Sequence, residues 1–574
     1  MNLKKKLEKY YFKLVGLLFL ITLIVSFSCK YSKTTKENKA ITSIKEYRKV
    51  RSSKLNQYRP VIHNNDGCDA YVYPLKYKNL IYGKENQPKQ VNSDSLELDF
   101  EFSIQNFINI RSAGFIGSDV STISYCSLAS SFGQFTHNTK VGEFLTLSYQ
   151  RPGSRNAVPE FVKLGTDPLE VTEKFAHENG FEFFWSNRIN DTHDDVHRPD
   201  KPFERWSKLK TEHPEFLFGT PGEKLPYGRW SSVDFTHPEI RDLCVQYYTE
   251  VCENYDVDGI ELDFFRHLCL FKNVAMGEVA TTEQLDMLTN MLKQIREMTE
   301  RVGMRKGKPI LILIRVPDSF EYCRGVGIDL EKWMNKRLVD IVVGIGYLRF
   351  NPLRYLVEQG HKYDVKVYAG LGELRVRLKH PLLQLYNAGY RARAAASWQA
   401  GVDGLYIFNE FNTRSIYLSQ IGSVNKLTDK NNLYFASYFS TDPNRFLKGG
   451  TNYSNLPLLH PSNPVILDSK PVELLVEIGD ERLPAKIALF LHSQGTNSEA
   501  TKVNLNGILL KYKKSTNDGL SAFEIPPEAV KPGENKLILN REPVQNALTL
   551  MDIAILFYRN PDDPDTNKLA ALCF

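Results

Sequence analysis

The sequence lacks the short motifs that mark several large enzyme classes. No Gly-x-Gly-x-x-Gly fingerprint or P-loop stands near the first predicted strand, which weakens the case for a nucleotide-binding open sheet. No Gly-x-Ser-x-Gly elbow is present, so nothing supports a serine hydrolase. No Cys-x-x-Cys pair occurs among the eight cysteines, so neither a zinc ribbon nor an iron–sulfur cluster is indicated, and we expect no cofactor.

The sequence also has little net charge. Lys and Arg number 73, Asp and Glu number 67, and much of the resulting +6 lies in the first fifty residues. The remainder is close to neutral, so no electrostatic argument favours a nucleic-acid partner. With 42% hydrophobic and 24% charged residues, the 574-residue chain has a globular composition and a length that suits about two or three domains.

Residues 1–29 have the pattern of an export signal. A lysine-rich start precedes the apolar run Leu14–Val25, which is too short to span a bilayer comfortably but suits a signal-peptide core. Ser26-Phe27-Ser28 then precede Cys29, and small residues before a cysteine permit cleavage and acylation of its thiol. This pattern predicts an exported lipoprotein, anchored to the bacterial outer membrane through a lipid on Cys29, with its periplasmic or surface side left open. An ordinary secretory signal and an N-terminal anchor are the alternatives.

From residue 58 to residue 445, β-rich runs alternate with amphipathic helical stretches. This alternation predicts parallel strands joined by crossover helices, and eight strands over this length predict a (β/α)8 TIM barrel. An open doubly wound sheet is the competing fold. The predicted strands are Val61–Asn64 running on to Ala70–Tyr73, Val120–Cys126, Phe181–Ser186, Gly259–Phe264, Ile310–Val316, Ile341–Ile345, Val365–Ala369 and Gly404–Phe408.

Residues 446–574 have a different pattern, in which no helical period survives. Short alternating runs separated by turn residues predict an antiparallel β-sandwich, either a carbohydrate-binding module or, slightly favoured, a structural buttress. Ahead of the barrel, residues 30–57 are polar and are predicted to form a tether. The sandwich runs include Val472–Ile478, Lys486–His492, Lys536–Leu539 and Thr549–Tyr558.

The fourth predicted strand carries two acidic residues on one face. Within residues 258–266, alternation places Glu261 and Asp263 together, opposite an apolar face that packs on helices. Both should point into the barrel, with Asp263 nearer the carboxyl ends of the strands, where the catalytic groups of TIM barrels lie. A bracing ion-pair network is the structural alternative, and it is stronger for Glu261. Because an unpaired buried carboxylate is costly, arginines near the strand ends should compensate these charges: Arg188, Arg266 and Arg315.

Polar residues also follow the other strands. Trp185, at the end of the third strand, is expected to stack on a sugar ring beside donors and acceptors that suit sugar hydroxyls. A metal site formed by Asp191, His193 and Asp194 is a weaker alternative at the same strand end. The full set of candidate substrate-binding residues is Asn65, Asp66, Trp185, Arg188, Asn190, Asp191, His193, Glu261, Arg266, Arg315, Asp318 and Tyr347.

Hydrolysis of a glycosidic bond uses two carboxylates, about 5 Å apart for retention and roughly 6.5–9.5 Å for inversion. Asp263 is predicted to be one of them, as nucleophile or general acid, and Glu373, Glu410 or Asp318 to be its partner. Glu373 and Glu410 are about equally good candidates for this partner. Arginines near the strand ends suggest an anionic glycan as the substrate. Alternatively, they adjust the pKa values of the carboxylates. Beyond those already named, these arginines include Arg349 and Arg375.

Four segments carry a resemblance to a known family: Gly165–Pro168, Trp185–Arg188, Asn190–Asp194 and Asp258–Arg266. Together they resemble a family of glycosyl-hydrolase-like TIM-barrel proteins found among bacterial lipoproteins. This family is distantly similar to glycoside hydrolase family 10 and to α-galactosidase-type barrels. The resemblance covers roughly residues 58–445, and its most specific part surrounds Asp263.

This resemblance implies a TIM barrel that acts on a glycoside, in polysaccharide breakdown. Family 10 uses glutamates after strands four and seven, which would favour Glu373. An aspartate after strand four is closer to the α-galactosidase placement of a nucleophile, so the stereochemistry stays open.

Three classes of function therefore remain. The leading one is a glycoside hydrolase acting on a polysaccharide or oligosaccharide. The second is a non-catalytic surface glycan-binding lipoprotein, which would not need two opposed carboxylates. The third, a metal-dependent deacetylase or other esterase, would require a metal at Asp191–Asp194.

Overall fold

The computed structural model describes residues 41–77, 98–128, 130–372, 386–436, 442–456, 459, 464–479, 481, 484–494, 498–541 and 548–574. Eight parallel strands close into a barrel, since the first strand pairs with both the second and the eighth. This confirms the predicted TIM barrel and excludes the open sheet. The strands are β1 (Val61–Asn65), β2 (Val120–Cys126), β3 (Glu182–Arg188), β4 (Gly259–Asp263), β5 (Leu311–Arg315), β6 (Ile341–Gly344), β7 (Lys366–Gly372) and β8 (Gly404–Phe408).

The predicted barrel strands match the observed ones closely except after β1. The predicted continuation through Ala70–Tyr73 is wrong, because Cys68–Tyr71 forms a short helix there. Gly67 precedes this helix with φ 63°, and a Cβ at that position would lie 1.9 Å from the carbonyl oxygen of Cys126. Glycine therefore lets the chain turn back against β2.

Helices surround the barrel and bury their apolar faces on its strands. The helix Pro238–Asn254, for example, buries residues at helical spacing, including Ile240, Cys244 and Tyr248. The α-helices in the described part of the chain are Ile44–Leu55, Cys68–Tyr71, Ile104–Arg111, Val158–Lys163, Pro168–Glu178, Lys208–Glu212, Pro238–Asn254, Lys272–Ala275, Thr282–Lys306, Phe320–Gly325, Leu330–Asn335, Leu353–Lys362, Tyr386–Gln399 and Pro564–Cys573.

An Asp-Gly pair stands at the start of both β4 and β8, where the aspartate comes just before the strand and the glycine is its first residue. The aspartate of each pair binds the backbone of the preceding strand. Asp258 accepts a hydrogen bond from the backbone N–H of Phe183 at 3.0 Å, and Asp403 accepts one from that of Val367 at 2.9 Å. Each carboxylate also forms ion pairs with a histidine and with lysine: His177, Lys54 and Lys308 for Asp258, and His361 and Lys366 for Asp403.

The glycine of each pair makes room inside the barrel for an aromatic ring of the preceding strand. A Cβ on Gly259 would lie 2.6 Å from the ring of Phe184, and a Cβ on Gly404 would lie 2.3 Å from the ring of Tyr368. The repeated dipeptide thus closes the amino end of the barrel, and this end carries stability while the carboxyl end is left for function.

The predicted tether at residues 30–57 is wrong from residue 44 onward, because Ile44–Leu55 is a helix packed on the amino end of the barrel. Tyr47 is fully buried there. Arg51 lies 3.0 Å from Glu300 and 3.4 Å from Asp340 in two ion pairs. The contacts of this helix with the barrel are mainly ionic. Its sequence is therefore polar and did not predict a packed helix.

Behind the barrel, two antiparallel sheets form the predicted β-sandwich. Its first strand, Asn432–Phe435, lies before the predicted boundary at residue 446 and pairs with Leu548–Tyr558. One sheet holds Asn432–Phe435, Val465–Leu467, Lys486–Gln494, Lys511–Ser515, Leu520–Ile525 and Leu548–Tyr558, and the other holds Val472–Ile478, Thr501–Leu505, Ile508–Leu509 and Gly533–Arg541.

The sandwich is joined to the barrel by buried charged groups. Arg349, after β6, forms an ion pair with Glu477, which also accepts a hydrogen bond from the backbone N–H of Leu353 at 2.9 Å. Arg391 pairs with Asp563 at 2.5 Å. These contacts support the buttress interpretation of the sandwich.

Within the described ranges, no helix is long and apolar enough to cross a membrane. The predicted signal and its Cys29 lie outside those ranges.

Removing the helix Ile44–Leu55 should destabilise the barrel. A chain that begins at Asn56 leaves Glu300 and Asp340 without Arg51, and it exposes the surface that Tyr47 covers. Because loss of one partner from a buried pair costs about 3–5 kcal/mol, we expect the free energy of unfolding to fall by about 3 kcal/mol or more relative to a chain beginning at Ile41. Chemical denaturation of the two chains measures this. Equal stability would restore the tether interpretation.

Candidate active site

A layer of polar side chains crosses the barrel interior at the level of Glu261. Its carboxylate accepts hydrogen bonds from the hydroxyl of Tyr406 at 2.6 Å and from Oγ of Ser124 at 2.5 Å. Nδ2 of Asn64 donates to both carboxylate oxygens, at 3.3 and 3.2 Å. Because these partners stand on β8, β2 and β1, Glu261 points across the barrel axis, as alternation along β4 predicts.

Burial raises the pKa of Glu261, and the nearby charge of Asp263 raises it further. Hydrogen bonds from Ser124 and Tyr406 and the charge of Arg315 act in the opposite direction. Glu261 is therefore a carboxyl group that resists ionisation, fully enclosed below the mouth of the barrel, by which we mean the carboxyl ends of the strands. Its surroundings suit support of Asp263 rather than contact with a substrate.

Asp263 lies one layer above Glu261, and Arg315 neutralises it. Nη1 of Arg315 donates to Oδ2 at 3.0 Å, and the backbone N–H of Phe265 donates to Oδ1 at 2.9 Å. The guanidinium carbon of Arg315 also lies 3.9 Å from the ring centroid of Phe408. Of the three arginines expected to compensate Asp263, Arg315 makes the direct contact.

A second carboxylate, Asp66, follows β1 at the mouth. Its Oδ1 accepts from Nη1 of Arg111 at 2.6 Å, and its Oδ2 lies 4.0 Å from Nη2 of Arg188. Burial alone would raise the pKa of Asp66, but Arg111 and Arg188 outweigh burial and hold it far below its usual value. Asp66 is thus a fixed negative charge, kept ionised by two guanidinium groups.

Asp191, after β3, forms the third carboxylate group of the mouth. Burial opposes its ionisation, but His193, Arg266 and Arg188 hold the pKa of Asp191 well below its usual range. Nδ1 of His193 lies 2.5 Å from Oδ1 of Asp191, and Nη2 of Arg266 lies 2.9 Å from Nε2 of His193. Because a guanidinium only donates, Nε2 accepts and the imidazole proton lies on Nδ1. Nη1 of Arg266 then donates to the hydroxyl of Tyr347 at 2.5 Å.

The metal-site alternative at Asp191–Asp194 finds no support in this geometry. Asp194 is directed to Nζ of Lys210, at 2.5 Å, while both ring nitrogens of His193 are engaged by Asp191 and Arg266. Throughout the described ranges, no group of three or more His, Cys, Asp or Glu residues could hold a metal ion.

Four predicted site residues have structural contacts instead. Trp185 is wholly buried, and its Nε1 donates to Oγ of Ser127 at 2.8 Å, so the predicted stacking on a sugar is wrong. Asn190 ties two loops together through the backbone of Val233 and Cys269, and Asn65 donates to Asp69 at 3.2 Å. Asp318 accepts from the backbone N–H groups of Phe350 and Asn351, at 2.9 and 3.1 Å.

Burial raises the pKa of Asp318 to about 6 against the opposing effect of these two N–H groups. Although such a value would suit a general acid, the side chain packs between β5 and the loop after β6. An ideal Cβ on Gly344 would lie 3.6 Å from Cβ of Asp318 and 2.1 Å from Leu356 of an outer helix. Asp318 therefore stands on the outer side of the strands, which removes it as a partner of Asp263.

Glu410 is buried in the loop that follows β8. Its Oε1 accepts from the backbone N–H of Asn412 at 2.8 Å and its Oε2 from the hydroxyl of Tyr417 at 2.7 Å. Asn409, with φ 53°, interrupts the strand alternation just before it, so alternation along β8 does not set the direction of the Glu410 side chain. Glu373 and Arg375 lie outside the described residues.

Sequence reasoning missed the partners that hold the central carboxylates. Asn64, Ser124 and Tyr406 surround Glu261, and Arg111 pairs with Asp66. The signal for the first three was a polar group at an inward-facing position of a buried barrel strand. Arg111 lies on an outer helix far along the chain, and no strand pattern could identify it.

Comparisons with known proteins give fold likeness only. The sequence matches no protein-family model and no curated protein. Solved structures with a similar fold include α-L-fucosidase isoenzyme 2 from Paenibacillus thiaminolyticus, 15% identical, with a TM-score of 0.35 over 65% of this chain and 49% of that one. A family 36 α-galactosidase from Geobacillus stearothermophilus is 10% identical, with a TM-score of 0.33 over 86% and 56%.

A maltogenic α-amylase from Thermotoga neapolitana is 14% identical, with a TM-score of 0.31 over 86% of this chain and 98% of that one. The chain spans about half the length of the fucosidase and of the galactosidase. These neighbours are glycoside hydrolases. Because the TM-scores are below 0.5, the proposal that follows rests on the residues at the barrel mouth.

Replacing Glu261 by Gln should change how stability depends on pH. Since the folded state raises the pKa of Glu261, the folded protein binds more protons than the unfolded one above the unfolded pKa, and stability falls as pH rises through that interval. Glutamine cannot ionise, so the thermal midpoint of Glu261→Gln should rise relative to the wild type between pH 4 and pH 8. Parallel pH profiles of the two proteins would contradict the assignment.

Proposed function

We propose that this protein is a glycoside hydrolase that cleaves an oligosaccharide or polysaccharide, with Asp263 as the carboxylate that faces the reacting carbon. The observation that carries the proposal is the position of Asp263. It ends β4 inside the barrel, at the mouth, paired with Arg315 at 3.0 Å above the enclosed carboxyl of Glu261. A structural brace alone would not require two carboxyl groups to be stacked along one strand.

The role of Asp263 follows from the positive charge that develops on the sugar during cleavage. Glycosidic cleavage passes through a cationic, oxocarbenium-like state, which a fixed carboxylate stabilises by attack or by charge. Arg315 holds Asp263 in one orientation, and the backbone N–H of Phe265 fixes its second oxygen. Asp263 is therefore assigned as the nucleophile or charge-stabilising group, and a second carboxyl must protonate the departing oxygen.

The acid is assigned to one of two glutamates. Glu373 follows β7 in the sequence, and Glu410 follows β8 and is buried beside Tyr417. The variants Glu373→Gln and Glu410→Gln separate them, because loss of the acid lowers the rate most for substrates with a poor leaving group and least for aryl glycosides with a good one.

Around these carboxylates, Asp66, Arg188, Asp191 and Arg266 offer charged acceptors and donors suited to sugar hydroxyls, and Tyr347 adds an aromatic ring. Their mutual ion pairs hold them in place before a substrate arrives, which limits the entropy lost on binding. We assign substrate binding to this group.

We further propose that the protein is exported and anchored to the bacterial outer membrane through a lipid on Cys29. The support is the short apolar run before Ser26-Phe27-Ser28-Cys29. Metabolic labelling with a fatty acid tests it, since Cys29→Ser should lose the label and pass into the soluble fraction.

Asp263→Asn should abolish hydrolysis while leaving the fold intact. Asparagine keeps the shape but can neither attack nor carry the negative charge, so we expect release of reducing sugar to fall at least about a thousandfold, equivalent to roughly 4 kcal/mol of barrier. The panel should include neutral and acidic polysaccharides. Asp256→Asn is the matched control, because Asp256 is 56% exposed at the amino end of the same strand, and it should keep full activity.

Azide adds a chemical check on the role of Asp263. If it is a nucleophile, azide should restore turnover to Asp263→Gly and give a glycosyl azide. Undiminished activity in Asp263→Asn would place the reaction on other strands. If the wild type and Asp263→Asn both bind a glycan and neither cleaves it, the protein is a glycan-binding protein.

A further inference from the structure

A buried arginine without a carboxylate partner lies beside the mouth. Arg205, in the loop after β3, is only 6% exposed. Several other buried arginines pair with a carboxylate, as Arg111 does with Asp66 and Arg315 with Asp263. Arg205 forms no such pair with any described residue, and its Nε and Nη1 atoms are buried without an acceptor. Among the described residues, it has a polar contact with the hydroxyl of Tyr149.

Aromatic rings hold the guanidinium of Arg205 in place. Its carbon lies 4.4 Å from the ring centroid of Tyr71 and 4.6 Å from that of Phe203. The rings fix the cation but do not neutralise it, since cation–π contacts are worth less than the cost of burying a charge. The geometry therefore leaves the charge of Arg205 without a compensating anion among the described residues.

A second arginine strengthens this interpretation. Arg151 lies over the ring of Phe203 at 5.9 Å and pairs with Glu204. Burial lowers the pKa of Arg151, and the positive charge of Arg205 lowers it further. The carboxylate of Glu204 therefore pairs with Arg151 alone, and the charge of Arg205 is left uncompensated among the described residues.

This cluster adjoins the proposed catalytic mouth. Tyr71 belongs to the short helix after β1. Burial raises its pKa well above the usual value, and the charges of Arg205, Asp66 and Arg188 all act on its hydroxyl. An anion at Arg205 would therefore lie across Tyr71 from the carboxylates of the barrel mouth.

We propose that Arg205, assisted by Arg151, binds the carboxylate or sulfate group of an acidic sugar, so that the glycan recognised at the mouth is acidic. A guanidinium group binds either oxyanion through paired N–H groups, and this geometry favours it over an ammonium group. The inference rests on the proposed carbohydrate site, but it concerns recognition rather than cleavage.

Calorimetric binding to matched glycans tests the proposal. Three pairs serve as probes: polygalacturonate and its carboxyl-reduced form, alginate and its carboxyl-reduced form, and dextran sulfate and dextran. The full chain carries Asp263→Asn, so that no probe is consumed. In at least one pair, the acidic member should bind at least about tenfold more tightly than its neutral counterpart. The pair that responds identifies the group as a carboxylate or a sulfate.

Arg205→Gln should reduce that preference to about twofold or less without weakening the neutral probe. Arg305→Gln is the matched control, since Arg305 is 58% exposed and pairs with Glu253 away from the mouth. Arg205→Lys should keep part of the preference, because it keeps the charge but loses the planar fork. If Arg205→Gln does not fold, Arg151→Gln, whose side chain is 34% exposed, should still lower the preference.

Two results would overturn the inference: no preference for an acidic probe in any pair, or a preference that Arg205→Gln leaves unchanged. The outcomes separate it from the proposed function. Acid-selective binding that depends on Arg205, without hydrolysis by the protein that retains Asp263, would support this inference and refute the hydrolase. Hydrolysis confined to neutral glycans would support the hydrolase and refute this inference.

Discussion

The barrel depends on neutralising the negative charge that β4 directs into its interior. Two carboxyl groups stacked along one strand, in a core that excludes water, would repel each other and lose their hydration. Arg315 from β5 compensates the upper group, Asp263, while burial and the nearby charge of Asp263 raise the pKa of the lower one, Glu261, against the opposing effect of its hydrogen bonds. The two carboxyl groups thereby stand in different surroundings, although they belong to the same strand. Different surroundings allow neighbouring carboxyl groups to take different roles in acid–base and nucleophilic chemistry.

The two ends of the barrel use similar residue types for different purposes. At the amino end, Asp258 and Asp403 each fasten a neighbouring strand, and the glycine after each admits an aromatic ring. At the carboxyl end, Asp66 and Asp191 are surrounded by arginines and bind no strand edge. The first arrangement is complete without a ligand. The second concentrates charged groups around a common opening, and the excess of guanidinium groups beside it is the basis for expecting an acidic partner.

Strand alternation predicted much of this structure, because side-chain direction in a strand has a fixed period of two. It located all eight barrel strands and placed Glu261 and Asp263 in the interior. It failed where the strand ended: the positive φ of Asn409 changes the direction of the chain before Glu410. The expected stacking of Trp185 on a sugar was wrong because it ignored this alternation, which places Trp185 on the outer face, against the helices. Arg111 and Arg205 come from helices and loops distant in sequence, whose approach to the mouth is a property of the closed barrel.

A double-mutant cycle on Asp263 and Arg315 tests the central claim most directly. Free energies of unfolding would be measured for Asp263→Asn, Arg315→Met, the combined variant and the parent protein. If the pair neutralises charge inside the barrel, Arg315→Met should cost about 3 kcal/mol or more, and the combined variant should be at least about 2 kcal/mol more stable than the sum of the single losses predicts. Strict additivity of the two losses would show that the groups do not depend on each other, and the account of the site would fail.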